Sequence, residues 1–349
     1  MSSTDNFDQF KFDRAWLDRP RAPGISAYMR IKNEQQLVRV AIMSHIEHYD
    51  EIIACHNDCS DDTVRILHDL AAQYPGKIKV FHYQPKVHPP RSREHAQMSD
   101  DSVHGLANYY NWALSKTTRQ VAVKLDADHL GIEHKLRALT ARIRRDMNAG
   151  RRKLYVSSGI NLLRESTGAL GVRVNFLLAG NGDFVYHPVD ARTVYRNVPK
   201  YETFDAVYRL PLEVEYTGIT FFHLRALKPT HHYRPRRRRP RFSFLRGASP
   251  DLNAIIPYQE FCSSQRQLRR SLPTQLGWRA RSRFHLSANS TLRNLKQRLT
   301  GYPASLLREQ LSRLEDDLRD IDFNRDVLEP LSKWEGEIST VTVDCGRDG

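Results

Sequence analysis

From Gly24 to about Leu130, short apolar runs alternate with amphipathic stretches at helical spacing. That alternation constrains the fold more than any other feature of the chain, because it is the pattern of βα units feeding a parallel sheet. The first strand reads Ile25 to Ile31, and Lys32, Asn33 and Glu34 lead into a helix on which Leu37, Val38, Ala41, Ile42 and Ile46 recur. A second strand, Glu51 to Cys55, opens into the polar loop His56-Asn57-Asp58-Cys59-Ser60-Asp61-Asp62, and a helix from about Thr63 to Tyr74 is ended by Pro75 and Gly76. Ile78 to His82 reads as a third strand. A long loop rich in His, Pro and Arg follows, then a helix around Leu106 to Leu114. A buried strand, Val121 to Leu125, runs directly into Asp126-Ala127-Asp128-His129. Beyond it the pattern predicts a helix at about Ile132 to Met147 and strands at Leu154 to Ser158, Gly182 to Tyr186 and Glu213 to His223, completing a mixed sheet.

In open α/β sheets, ligands bind beyond the carboxyl ends of strands, and two aspartates are costly there unless something cationic compensates them. A metal ion is the natural candidate for the junction at Asp126 and Asp128. Read with its neighbours, the segment Gly24 to Leu130 resembles the nucleotide-binding half of the GT-A glycosyltransferases. The likeness is greatest to the family-2-like bacterial enzymes of surface polysaccharide and lipopolysaccharide synthesis. Lys32-Asn33-Glu34 resembles the family's opening segment, which contacts the nucleotide. Asn57 to Thr63 resembles the loop after the second strand that contacts the base, with His56 and Asn57 standing where the family has an aspartate pair. Lys124-Leu125-Asp126-Ala127-Asp128 resembles the Asp-X-Asp motif at its expected distance downstream. The resemblance extends more loosely to residue 228.

What the resemblance implies is an α/β fold of GT-A (Rossmann-like) type, a mixed, mainly parallel sheet flanked by helices, followed by a basic helical C-terminal extension. It divides the chain into an N-terminal extension (1–23), a GT-A domain (24–130 for the nucleotide sugar, 131–230 for the acceptor) and a C-terminal region (231–349). It also implies a metal-dependent hexosyltransferase, moving a sugar from a nucleoside-diphosphate donor to a glycan or lipid-linked glycan acceptor. By the same resemblance Lys32, Asn33, Glu34, His56, Asn57, Asp61, Lys124 and Asp126 face the nucleotide sugar. Asp128 holds Mn2+ or Mg2+, with Asp126 reaching the ribose or a metal-bound water. His223, ending the apolar run Thr220-Phe221-Phe222, stands where many relatives place a third metal ligand; a hydrogen-bonded histidine at a strand end is the competing reading. Lys228 is a diphosphate contact or a surface lysine. A divalent ion is needed because charge builds on the leaving diphosphate, and hard oxygen ligands suit Mn2+ or Mg2+. An inverting mechanism also needs a carboxylate base for the acceptor hydroxyl. Asp183, between Gly182 and a strand, is favoured over Glu202 and Asp205.

Arg234 to Arg298 holds sixteen Arg or Lys against Asp251 and Glu260, an excess equal to the whole formal charge of +14. The basic stretch is thus a local device for something anionic: a membrane leaflet, with Phe242, Phe244, Leu245 and Trp278 beside the charge, or phosphates on a lipid-linked acceptor. Nucleic acid is a weaker candidate, since no zinc spacing, helix-turn-helix or aromatic RNA-binding motif accompanies the arginines. A nucleotidyltransferase would need a Gly-rich loop after the first strand, where Lys32-Asn33-Glu34 stands instead, and intact Asp126 and Asp128 argue against a non-catalytic relative. The polar, acidic N-terminus has no export signal, no run of eighteen apolar residues occurs, and Cys55, Cys59, Cys262 and Cys345 lack disulfide or metal spacing. The expected location is the cytoplasm, with peripheral contact at the inner membrane face. In the tail, Leu307, Leu311, Leu314, Leu318 and Ile321 mark the seam of an amphipathic helix.

Overall fold

The computed structural model describes residues 7–164, 170–173, 184–198, 201–204, 211–228, 255–256, 258, 260, 313 and 316–334. The chain forms two compact units, one of Met1–Ser158 with Ala179–Thr220 and one of Gly159–Leu178 with Phe221–Gly349.

The first unit is built on β1 (Ala22–Ile31), α1 (Val38–Met43), β2 (Glu51–His56), α2 (Thr63–Gln73), β3 (Ile78–His82), α3 (Arg93–Ala96), α4 (Leu106–Ser115), β4 (Arg119–Lys124), β5 (His129–Gly131) and α5 (Glu133–Asn148). The start of β6 (Lys153–Arg164) also belongs to it. Its strands lie in the order β3-β2-β1-β4-β8-β6, with β8 at Val185–Pro188. The four strands β3, β2, β1 and β4 are parallel, whereas β8 runs antiparallel to both β4 and β6. A mixed, mainly parallel sheet with helices against it is thus the observed architecture. Residues 24–29 of β1 and all of β2 are buried, as parallel strands covered on both faces should be.

Each helix follows its apolar stripe. On α5, Leu136, Leu139 and Ile143 are buried while Arg137, Arg142 and Arg145 are exposed. Every residue of α4 is buried, because it packs between the sheet and the antiparallel pair β9 (Tyr195–Val198) and β10 (Tyr201–Phe204). The segment before β1 also docks there. Phe10 packs at ring distances of 5.3 Å from Tyr83 and 5.5 Å from Trp112, while Asn108 of α4 exchanges hydrogen bonds with the Phe10 carbonyl and the Phe12 amide. At the amino ends of the strands, buried Glu51 accepts from Ser26 Oγ at 2.6 Å, from the Thr118 amide and from Lys79 Nζ at 2.7 Å. This closes three strands around one charge whose partners are all in place.

The long strand β11 (Glu213–Ala226) passes from the first unit into the second after Thr220. Up to that point it lies beside β5, where the Ile132 amide donates to the Thr220 carbonyl at 2.9 Å. In the second unit the later part of β6 pairs antiparallel with β7 (Leu170–Arg173), which in turn pairs with β12 (Ile255–Ile256). Tyr258 stacks on Phe323 at 5.3 Å and donates its hydroxyl to the Leu318 carbonyl. The tail helix expected through Ile321 is interrupted. Residues 316–319 are helical, the chain turns at Asp320, and a π-turn over Asn324–Leu328 leads into α6 (Glu329–Trp334). Asp322 makes the break, its carboxylate accepting from the Arg325 amide at 3.0 Å as a helix N-cap does. Leu318 and Ile321 are buried as expected, while Leu307, Leu311 and Leu314 lie outside the described residues, as does the basic stretch apart from residues 255–256, 258 and 260.

Candidate active site

The carboxyl ends of β1, β2 and β4 bring the three loops singled out in the sequence to one edge of the first unit's sheet. After β1 and β2 the loops are tied to each other. Asn33 takes a left-handed backbone (φ 53°) and its side chain accepts from the Ser60 amide at 2.8 Å and donates to Ser60 Oγ at 3.2 Å. The Glu34 amide donates to Thr63 Oγ1 at 2.7 Å, and Asp61 accepts from the amides of Gln35 and Thr63 at 3.2 and 3.0 Å. Lys32 Nζ pairs with Asp58 at 2.5 Å on the surface. Buried Asn57 donates both amide hydrogens, to the Tyr83 and Pro85 carbonyls at 2.6 and 2.9 Å, anchoring the start of the long loop. His56 stacks on His82 with centroids 4.6 Å apart, and burial followed by the neighbouring His82 pushes its pKa down to about 4. The His56 ring is therefore uncharged at neutral pH, and the stacked pair presents a flat aromatic surface.

The residues after β4 form the polar centre. Lys124, buried at the strand's last position, pairs with Asp126 at 3.0 Å, and His129 Nε2 lies 3.8 Å from the same carboxylate. Burial works to raise the Asp126 carboxyl, but Lys124 and then His129 outweigh it and hold it below the usual carboxylate range. Asp128 is buried at 7% exposure, deeper than Asp126, whose side chain is 26% exposed. Asp128 and His129 each bring a possible ligand atom within 4.8 Å of the other. The His129 ring packs edge-on against Phe184 at 5.5 Å, so its direction is set by a neighbour. One buried carboxylate and one imidazole side by side offer an oxygen and a nitrogen donor to a divalent cation, a set that suits Mn2+.

Of the other expected site residues, His223 lies on β11 in the second unit, half-buried, with Nδ1 3.2 Å from Asn161 Oδ1. Lys228 follows the same strand, half-buried. Glu202 is a half-buried residue of β10, and Asp183 and Asp205 lie outside the described residues. Two residues at this edge of the sheet carry no signal in the motifs. His129 was read as the end of a motif and not as a donor. Arg30 was read as part of a strand, yet it stands at the end of β1 with its guanidinium 4.9 Å from the centre of the Tyr110 ring, the ring that also carries Lys124 Nζ at 5.2 Å. The available signal was a charge inside an otherwise apolar strand, Tyr28-Met29-Arg30-Ile31.

The strand order, the antiparallel β8 and the aspartates just beyond β4 are those expected of a GT-A-type α/β fold. Residues 6–147, from the N-terminal segment to the end of α5, match the model of the family described as Beta-1,4-N-acetylgalactosaminyltransferase (CgtA). No curated protein matches the sequence. Among solved structures, S. aureus TarS 1-349 is similar at 10% identity and a TM-score of 0.36, over 57% of this chain and 60% of that one. The glucosyl-3-phosphoglycerate synthase of Mycobacterium tuberculosis, crystallised with Mn2+ and uridine-diphosphate-glucose, is similar at 13% identity and a TM-score of 0.33, over 67% of this chain and 78% of that one. The chain thus spans about three fifths of the TarS chain it matches.

Proposed function

We propose that this protein transfers a sugar from a nucleoside-diphosphate donor to a glycan or lipid-linked glycan acceptor, with the donor's diphosphate over Asp126 and Asp128. The observation that carries the reading is the placement of these two carboxylates just beyond β4, beside the loops after β1 and β2, within the stretch that matches a glycosyltransferase family. Asp128 holds a divalent cation, Mn2+ or Mg2+, with His129 beside it. When bound, the cation neutralises the charge that develops on the leaving diphosphate. Lys124 keeps Asp126 ionised and oriented for the ribose or a water on the metal. His56 and His82 offer a stacked aromatic wall for the base, and Asn57 holds that wall against the long loop. Asp183 takes the proton from the acceptor hydroxyl in an inverting reaction.

The family description makes UDP-N-acetylgalactosamine the first donor to test. Among the described residues no helix is long and apolar enough to cross a membrane. The basic stretch Arg234 to Arg298 supports a further reading, peripheral contact with an anionic membrane in surface polysaccharide synthesis. Mixing the protein with UDP-N-acetylgalactosamine and Mn2+ and following UDP release tests the proposal. Slow, metal-dependent hydrolysis supports it, and no turnover of any nucleotide sugar with either metal would remove it.

A further inference from the structure

Among the described residues Arg30 is a cation without an ion-pair partner. It is half-buried, and its Nε, fully buried, has no hydrogen-bond partner among the described residues. Its one hydrogen bond there is a long one, Nη2 to the Tyr110 hydroxyl at 3.3 Å. No carboxylate of the described residues comes within ion-pairing distance. Burial lowers the guanidinium's pKa, but Tyr110 and then the field of Glu202 more than restore it, so the charge persists. A guanidinium offers five donors in a rigid fork, and leaving the buried Nε–H without a partner costs stability unless a ligand uses it.

The position of this cation is also specific. In the parallel pairing of β1 with β4, Tyr28 faces Lys124. Two residues further on stand Arg30, near the end of β1, and Asp126, just beyond β4, and the Arg30 guanidinium lies over the same Tyr110 ring as Lys124 Nζ. That ring is held in place by stacking on Tyr195 at 4.7 Å. Lys124 is engaged by Asp126, whereas Arg30 has no such partner among the described residues to release before it can bind an anion.

We infer that Arg30 is a ligand of the donor's diphosphate, its guanidinium fork closing on phosphate oxygens from the β1 side of the site. The inference rests on the donor site proposed above and adds to it a residue that acts directly on phosphate. A planar fork pairs with phosphate through two parallel hydrogen bonds, which a lysine's point charge does not reproduce.

Calorimetric titration of the full chain with inorganic pyrophosphate, without metal, tests it in wild type, Arg30→Gln and Arg30→Lys. Binding is expected to weaken roughly ten- to hundredfold in Arg30→Gln, with Arg30→Lys between the two, as for loss of a hydrogen bond to a charged group. Mn2+ binding, titrated in parallel, is expected to be unchanged in all three. Equal pyrophosphate affinity in wild type and Arg30→Gln would overturn the inference while leaving the donor site intact. Absence of both Mn2+ and pyrophosphate binding in wild type would overturn the donor site itself. If Arg30→Gln proves unfolded by thermal melting, Arg30→Lys decides, since it keeps the charge and the stem: wild-type pyrophosphate affinity in that variant refutes a role for the fork.

Discussion

Gly131 closes the short strand β5 that carries His129, and the space around it leaves no room for a side chain. A Cβ at this position would lie 2.4 Å from Leu136 Cδ1, 2.9 Å from His45 Cε1 and 3.0 Å from His45 Nε2. The leucine methyl has freedom to swing away. The imidazole does not, because His45 Nδ1 is fixed by the Ala41 carbonyl at 2.8 Å and by Ser44 Oγ at 3.0 Å, and its ring stacks on Tyr49 at 5.8 Å. Ser44 Oγ in turn accepts from the Gly131 amide at 3.0 Å, so moving the ring also disturbs the hold on β5. Gly131→Ala is therefore an overpacking change with one rigid neighbour, and about 1–3 kcal/mol of stability should be lost. Part of the strain should be relieved by displacing β5, which lowers Mn2+ affinity through His129 and Asp128. Urea unfolding gives the stability and calorimetry the metal affinity. In the double variant Gly131→Ala/Leu136→Ala the new methyl fills part of the leucine cavity. Its loss should therefore be smaller than the sum of the single losses by roughly 1 kcal/mol. A Gly131→Ala protein as stable as wild type, with additive behaviour in the double variant, would refute this account of β5.

The buried imidazoles make stability depend on pH. Burial pushes His45 down to about 3 and His187 to about 4, as it does His56, from an unfolded value of 6.5. These groups stay neutral when folded and take up protons in the unfolded chain, so their contribution is full above pH 6.5 and is lost as pH falls toward 4. Each removes on the order of 1.4 kcal/mol per pH unit well below 6.5, and urea midpoints at pH 7.5, 6 and 5 should fall in that order. A flat profile would contradict their burial as neutral rings. Asn57→Ala leaves the Tyr83 and Pro85 carbonyls without their donor and should cost about 1–3 kcal/mol by urea unfolding. A change below 0.5 kcal/mol, roughly the scatter of surface substitutions, would show that the clamp is dispensable. Burial works to raise the Glu51 carboxyl, but hydrogen bonds from Lys79, Ser26 and Thr118 hold it below its usual range. Glu51→Gln, which keeps the shape but not the charge opposite Lys79, should therefore lower the thermal midpoint at neutral pH, with the difference shrinking as the pH falls through the carboxylate range. An unchanged midpoint would mean that the charge contributes nothing.

The first four strands were readable because each is an apolar run ended by a turn or a polar loop, and Val121 to Leu125 led the eye straight to Asp126 and Asp128. The polar centre was legible for the same reason: carboxylates immediately after a buried strand need a compensating partner. What escaped was short or non-local. β5, β9, β10 and β12 have two to four residues each and carry no periodicity. The docking of Phe10 and Asn108 joins residues 98 apart in sequence. The end of the tail helix near Ile321 depends on Asp322 capping a new turn, which an unbroken leucine seam conceals. Arg30 was hidden by its strand, since its chemistry comes from Tyr110, which lies 80 residues away.

The central claim is that Asp128 anchors a divalent cation beneath a nucleotide-sugar donor. The most direct measurement is binding and hydrolysis of a panel of nucleoside-diphosphate sugars, beginning with UDP-N-acetylgalactosamine, with Mn2+, Mg2+ or chelator, in wild type and Asp128→Ala. The account predicts one donor bound and slowly cleaved only with metal, and both activities lost in the variant while its thermal midpoint stays near that of wild type. Metal-independent cleavage, or an Asp128→Ala protein that cleaves the donor as wild type does, would contradict it.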